Sequence, residues 1–218
     1  MSDTNAHHRI TPSLLLRAYA AGVFPMAQTA DSADIFWVDP KRRGILPLDG
    51  FHVPRSLKKR IRKGGFSVTV DTAFDAVLDG CAGREETWIN PEIATLYRAL
   101  HAAGRASSVE VWMDGELAGG LYGVGLGGAW FGESMFSRRT DASKIALVWL
   151  VARLRAGGFT LLDTQFLTEH LGRFGAAEIA RDVYQIRLAD ALPRQSDFFA
   201  LPSDASADAV LQLVTQTS

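Results

Sequence analysis

Cysteine is almost missing. Cys81 is the only one in 218 residues, which excludes an internal disulfide and fits a reducing compartment. No Cys or His stands near it at metal-ligand spacing, so zinc is not expected, and the adjacent His7 and His8 sit in a polar N-terminal stretch that makes a poor metal site. No apolar run reaches the ~18 residues a membrane span needs. The opening "MSDTNAHHRITP" lacks the apolar centre of a signal peptide, so the cytoplasm is the expected compartment. Net charge is nearly absent too, at −1, but its distribution is uneven. Nine of the 23 Lys and Arg residues lie between Lys41 and Lys63, with Asp49 the only acid among them, which points to a polyanion partner on one face.

What is present is ordinary for a soluble globular enzyme: 47% hydrophobic and 22% charged residues, in a chain long enough for one large domain with a small appendage. Thr11-Pro12 reads as an N-cap followed by proline at the first helical position, with Gly22 ending that helix. The proline-punctuated stretch 22–50 reads as loops and short extended pieces. "VPRSLKKRIRKGG" predicts a helix with Val53, Leu57 and Ile61 as its apolar stripe and Arg55, Lys58, Lys59, Arg60, Arg62 and Lys63 over the rest.

From Phe66 the pattern is more regular. "FSVTV" predicts a strand, then a helix capped by Asp71, and Asn90-Pro91 opens another helix. Asp114-Gly115 between "SSVEVWM" and "ELAGGLYGV" signals a hairpin, and "GGAWFGESMF" adds a third antiparallel strand. Helix Asp141–Ala156 and strand "FTLLDTQF" complete a strand–helix–strand unit, whose two strands should be parallel. A last helix is expected at Arg181–Leu192. The expected division is a small N-terminal domain with the basic helix (1–64), a catalytic domain (65–195) and a mobile tail (196–218). The fold class is α+β (α/β): a mixed sheet flanked by helices, resembling the acyl-CoA N-acyltransferase architecture.

Polar residues interrupt the strands of that unit. Side chains alternate along a strand, so Asp163 and Gln165 share a face, roughly 7 Å apart, while Glu133 shares one with Phe131 and Met135. If the two strands are neighbours, Glu133, Asp163 and Gln165 converge. Polar groups there need partners or a water-filled cleft. They form either a structural hydrogen-bond network or the wall of a substrate cleft.

"AYAAGVFPM", "GFHVPRSLKK", "TWIN", "SSVEVW", "LAGGLYGV", "FGESMFSR", "ASKIAL" and "LLDTQF", in order from about Ile10 to Leu192, resemble leucyl/phenylalanyl-tRNA–protein transferases. The resemblance implies an aminoacyltransferase that uses no metal or coenzyme. It would take Leu or Phe from Leu-tRNA or Phe-tRNA and join it to the α-amine of proteins beginning with Lys or Arg, making an N-degron for Clp-dependent degradation. It also implies an acyltransferase-like C-terminal domain and a smaller N-terminal one. Gln165 would contact the attacking amine through its carbonyl oxygen, and Asp163 would orient and polarise Gln165. Glu133 would either pair with the acceptor's Lys or Arg side chain, the preferred role, or hold the attacking ammonium.

Leu121, Trp130, Leu147, Leu150, Leu154 and Leu162 align with the pocket for the Leu or Phe side chain; the plain alternative for each is core packing. Trp88 and Tyr97 match positions that stack on the terminal adenosine. Met26 stands where relatives often carry an aromatic. The basic residues of helix 54–63 would follow acceptor-stem phosphates, the alternative being a solvated charged face. An acyl-CoA-dependent N-acyltransferase would share the fold, but "SRRTDASKIA" lacks the glycines that let backbone amides approach a pyrophosphate. A non-catalytic RNA-binding protein would not need Asp163 and Gln165 together inside a sheet.

Overall fold

The computed structural model describes residues 10–32, 34–84 and 87–216; His7 and His8 lie outside them. Helix α1 (Pro12–Ala20) forms where Thr11 and Pro12 predict it, the Thr11 hydroxyl accepting from Leu14 N at 3.2 Å. The proline-rich stretch yields three short strands: β1 (Phe24–Ala27), β2 (Ile35–Val38) and β3 (Arg42–Ile45). β1 and β2 pair as a separate ribbon, whereas β3 joins the main sheet. The basic helix α2 (Arg55–Lys63) follows Pro54 and buries Leu57 and Ile61, with Val53 buried just ahead of it.

Next come β4 (Ser67–Val70), α3 (Phe74–Ala82), α4 (Pro91–Ala102), β5 (Ala106–Met113), β6 (Glu116–Leu126), β7 (Ala129–Ser137), α5 (Ala142–Ala156) and β8 (Leu161–Gln165). Asn90 caps α4 as expected, its side chain accepting from Ile93 N at 2.8 Å. Asp71 does not cap α3, which begins two residues later than that role allows. It sits instead at φ +55°, its carboxylate accepting from Ser108 N and tying the turn to β5.

The main sheet has the order β4-β5-β6-β7-β8-β3-β9, with β9 at Ala177–Ala180. β4 to β7 form an antiparallel meander, β7 and β8 run parallel, and β3 lies antiparallel to both β8 and β9. This is the mixed, helix-flanked sheet that the hairpin and strand–helix–strand signals predict. One apolar layer fills the space between the sheet and α2, α5 and α8 (Ala207–Thr215). The other packs α1, α3, α4 and α7 (Arg181–Ala191) on the opposite face. A short helix, α6 (Glu169–Gly172), links β8 to β9.

The C-terminal segment, expected to be mobile, carries α8, which packs on α5 and α2 and buries Val210, Leu211 and Val214. Ala207 and Leu213, partly buried, pack against the same core. β9 is only four residues long, and its "AEIA" has no strand character of its own; pairing with β3 creates it. β3 itself is the penultimate strand, paired between β8 and β9, so residues before 64 contribute directly to the layer that carries the polar strand residues.

Candidate active site

β7 and β8 pair at only three positions, Ala129–Leu161, Trp130–Leu162 and Phe131–Asp163. Beyond them β7 runs on to Ser137 and β8 to Gln165 with no ladder between the two. There a cavity of about 770 Å³ opens, and Glu133 and Gln165 both line it. The end of β8 is irregular. Its register with β3 slips between Gly44 and Ile45, and Gln165 has φ +56°. Phe166 N donates to Thr164 O at 2.6 Å, closing a three-residue turn around Gln165. Bulges beside functional sites re-aim a side chain, and here the side chain is the glutamine. Gly44 of β3 makes room for the turn, since a Cβ there would stand 2.6 Å from the carbonyl carbon of Phe166.

Glu133 is 8% exposed and makes no salt bridge among the described residues; burial pushes its carboxyl up further than the Arg43 charge, which reaches it only at a distance, pulls it down. Tyr19 Oη donates to Oε1 at 2.8 Å, Tyr97 Oη donates to Oε2 at 2.6 Å, and the two hydroxyls are 2.7 Å from each other. Two hydroxyl protons cannot serve three contacts while Glu133 is ionised; a protonated Glu133 supplies the third. Burial lifts the carboxyl from the usual carboxylate range to about 7, against the pull of the tyrosine hydrogen bonds. Gln165 Nε2 donates to Glu133 Oε1 at 3.3 Å. Glu133 Oε1 accepts from the amide nitrogen whether the carboxyl is ionised or carries its proton on Oε2, and the amide oxygen has no partner among the described residues.

Asp163 behaves differently. It is fully buried and does not line the cavity. Arg43, 1% exposed, forks onto it, with Nε 2.9 Å from Oδ1 and Nη2 2.6 Å from Oδ2. Tyr184 Oη donates to Oδ2 at 2.6 Å, and Gln165 N donates to Oδ1 at 2.8 Å. Asp163 therefore holds Gln165 through its backbone N–H, and among the described residues it makes no hydrogen bond to the side-chain amide.

The aligned pocket residues divide. Leu121, Leu147, Leu150 and Leu162 line the cavity, joined by Met135, Phe136 and Leu171. Trp130 and Leu154 do not; both are buried in the core, Trp130 stacking on Phe198 at 4.3 Å between ring centroids. Trp88 is half-buried on the cavity wall, where a base could reach it. Tyr97 is 0% exposed and offers no face to a base; its hydroxyl anchors Glu133 instead. Met26 lies outside the cavity wall, directly across the β1–β2 ribbon from the exposed Phe36.

The basic stretch is less uniform than its composition suggests. Arg43 is buried, Arg42 lies 3.7 Å from Glu178, Arg62 lies 3.4 Å from Asp208, and Arg60 folds back onto Gly64 O and the Phe66 ring. Arg55, Lys58, Lys59 and Lys63 make no ion pair among the described residues. Sequence reasoning missed Tyr19, Arg43 and Tyr184, all on elements that seemed unrelated to the strand motif. Tyr19 had a signal, lying inside the "AYAAGVFPM" block. Arg43 was hidden among surface-type basics.

Among the described residues no group of three His, Cys, Asp or Glu is placed to hold a metal ion, and no helix is long and apolar enough to cross a membrane. The N-terminus of α5 carries Asp141 at its N-cap, which an incoming pyrophosphate would meet as a like charge.

The helix-flanked mixed sheet is an α+β fold whose parallel pair parts around a carboxylate, an amide and an apolar wall, a cleft with the groups of an enzyme site. Comparison with known proteins makes this specific. The profile of leucyl/phenylalanyl-tRNA protein transferase matches residues 45–189, and that of its N-terminal domain matches residues 8–41. The chain belongs to the leucyl/phenylalanyl-tRNA–protein transferase family. The protein of that name from Ruegeria sp. is 59% identical over 96% of this chain and 99% of its own length. The one from Paramagnetospirillum magneticum is 62% identical over 87% of this chain and 92% of its own length. Rhodopseudomonas palustris has one 55% identical over 99% of this chain and 98% of its own. Among solved structures, L-PGS from Bacillus licheniformis aligns with a TM-score of 0.45 at 14% identity over 84% of this chain and 77% of that one, too distant to bear on function.

Proposed function

We propose that this aminoacyltransferase moves Leu or Phe from the 3′ end of its tRNA to the α-amine of proteins that begin with Lys or Arg. It would act in the cytoplasm, and its products would be N-degrons for Clp-dependent degradation. The observation that carries this is the placement of Glu133 and Gln165 side by side on a cavity whose wall includes Leu121, Leu147, Leu150 and Leu162. An apolar wall suits the Leu or Phe side chain. A buried anion suits a cationic acceptor.

The chemistry asks little of the protein. An α-amine has an unperturbed pKa of about 7.7–8.0, so part of it is neutral near neutral pH, and an aminoacyl ester is already activated. The amine nitrogen attacks the ester carbonyl and a C–N bond forms. The bond from that carbonyl to the ribose oxygen breaks, and one proton passes from nitrogen to the departing oxygen. Positioning supplies much of the acceleration. Gln165 Oε1 accepts from the attacking amine and aims its lone pair; an amide is too weak a base to remove the proton outright. Asp163 is a positioning residue, because it does not reach the cavity. Trp88 stacks on the terminal adenosine, with Met26 at the margin of that platform. Arg55, Lys58, Lys59 and Lys63 are the strongest candidates for acceptor-stem phosphates, and Arg60 and Arg62 would have to leave their present partners to join them.

Glu133 is the specificity anion in this scheme. With its carboxyl at about 7, it pairs with the acceptor's Lys or Arg chiefly in the upper part of the physiological pH range. The test supplies Leu- or Phe-tRNA labelled in the amino acid and peptides that differ only in residue one. Label should enter Arg and Lys peptides and not Asp or Ala peptides. Equal labelling of all four would sink the acceptor assignment.

A further inference from the structure

We propose that Arg43 is a positioning residue for aminoacyl transfer, acting with Tyr184 through Asp163 to hold Gln165 in its reactive turn. The proposal rests on Gln165 acting in transfer, as above. Residues other than glycine adopt φ near +56° only when the surroundings over-determine it. Here those surroundings can be followed bond by bond. Gln165 N donates to Asp163 Oδ1, and Asp163 is in turn gripped by the Arg43 fork and by the Tyr184 hydroxyl.

Arg43 is fixed as tightly as what it fixes. Its Nη1 donates to Gly22 O at 2.9 Å, and its guanidinium lies over two rings, 4.4 Å from the Phe24 centroid and 4.6 Å from that of Tyr184. The tether thus starts at Gly22 and Phe24, beside α1 and the β1–β2 ribbon, crosses the sheet through β3 and ends at the amide nitrogen of Gln165. The next residue on β3, Gly44, is the one whose missing side chain admits the turn. Neither Arg43 nor Tyr184 lines the cavity. Loosening either should therefore disturb the geometry of the reacting amine without weakening the binding of either substrate.

Tyr184→Phe removes one hydroxyl at constant shape. Arg43→Lys keeps the charge, but one ammonium cannot fork onto Asp163 and also reach Gly22 O. Steady-state transfer of labelled Phe to an Arg peptide would be measured for both, beside Gln165→Ala, with folding checked by circular dichroism and melting temperature. The expected result is a fall in kcat of roughly tenfold to a hundredfold, with KM for charged tRNA and for peptide within about twofold of wild type. Folded variants with wild-type kcat, or with the loss confined to KM, would overturn the proposal. Should Arg43→Lys not fold, Tyr184→Phe decides by the same two outcomes. Full activity in Gln165→Ala would overturn the site assignment and this proposal with it. Impaired Gln165→Ala alongside normal, folded Tyr184→Phe and Arg43→Lys would overturn this proposal alone.

Discussion

Two carboxylates flank Gln165, and they are solved in opposite ways. Asp163 is closed off: a buried guanidinium, a tyrosine hydroxyl and a backbone N–H occupy its oxygens, and none of the cavity wall belongs to it. Glu133 is left open: its donors are two tyrosine hydroxyls and an amide, all neutral, and it faces the cavity with its carboxyl lifted to about 7. A buried anion that is paired becomes scaffold. A buried anion given only neutral donors keeps its charge negotiable and can respond to a cationic ligand. One anchor and one sensor thus stand on either side of Gln165, the anchor in the paired part of the sheet and the sensor in its gap.

Breaking the anchor should have the largest effect. Asp163→Ala leaves Arg43 as an uncompensated buried charge, with an expected loss of about 3–5 kcal/mol of stability, read by urea or thermal denaturation. A loss under about 1 kcal/mol would mean that the Arg43 cluster is not the scaffold described. Removing the group between the two carboxylates comes next. Gln165→Ala should fold normally and lower kcat by about a hundredfold in single-turnover transfer from Phe-tRNA.

The sensor should announce itself through pH. The folded state holds the Glu133 proton more tightly than the usual carboxylate value of 4.5 allows, so between about 4.5 and about 7 the folded chain binds more protons than the unfolded one. Stability should therefore fall as pH rises through that window and level off above it, by an amount on the order of 3 kcal/mol. Glu133→Gln should flatten this dependence and be more stable than wild type at pH 8. An unchanged pH profile in the variant would assign the slope to other groups.

The smallest effect concerns the basic helix, far from either carboxylate. Replacing Lys58, Lys59 and Lys63 together with Gln should weaken tRNA binding modestly and lower the slope of log affinity against log salt by roughly 0.7–0.9 per lost phosphate contact. A slope equal to that of wild type would leave α2 as a solvated face.

The strand motif made much of this legible beforehand. The strand–helix–strand spacing was enough to bring Glu133 and Gln165 onto neighbouring strands, and the parallel β7–β8 pair puts them there. Irregular backbone at Gln165 and opposite Glu133, not strict period-two alternation, aims the two side chains at each other. What alternation could not convey was which carboxylate reaches the cavity. That is decided by Arg43 and Tyr184, 120 and 21 residues from Asp163, and by Tyr19 and Tyr97, 114 and 36 residues from Glu133. Long-range partners leave no local pattern. Tyr97 shows the cost of reading a position alone: an aromatic on a helix stripe fits a base-stacking role, yet its hydroxyl is spent on Glu133. α8 did carry a local signal, with Ser206 as its N-cap and Val210, Leu211 and Val214 at helical spacing, but the Ser- and Asp-rich stretch around it read as a tail.

Whether Glu133 is the sensor of a cationic acceptor is tested most directly by following label from Phe-tRNA into Arg- and Ala-started peptides between pH 6 and pH 8.5, with wild type and Glu133→Gln side by side. The preference for Arg over Ala should rise through about pH 7 in wild type and stay low and flat in the variant. Full Arg preference in Glu133→Gln, at every pH, would contradict the assignment and return Glu133 to a purely structural role beside Tyr19 and Tyr97.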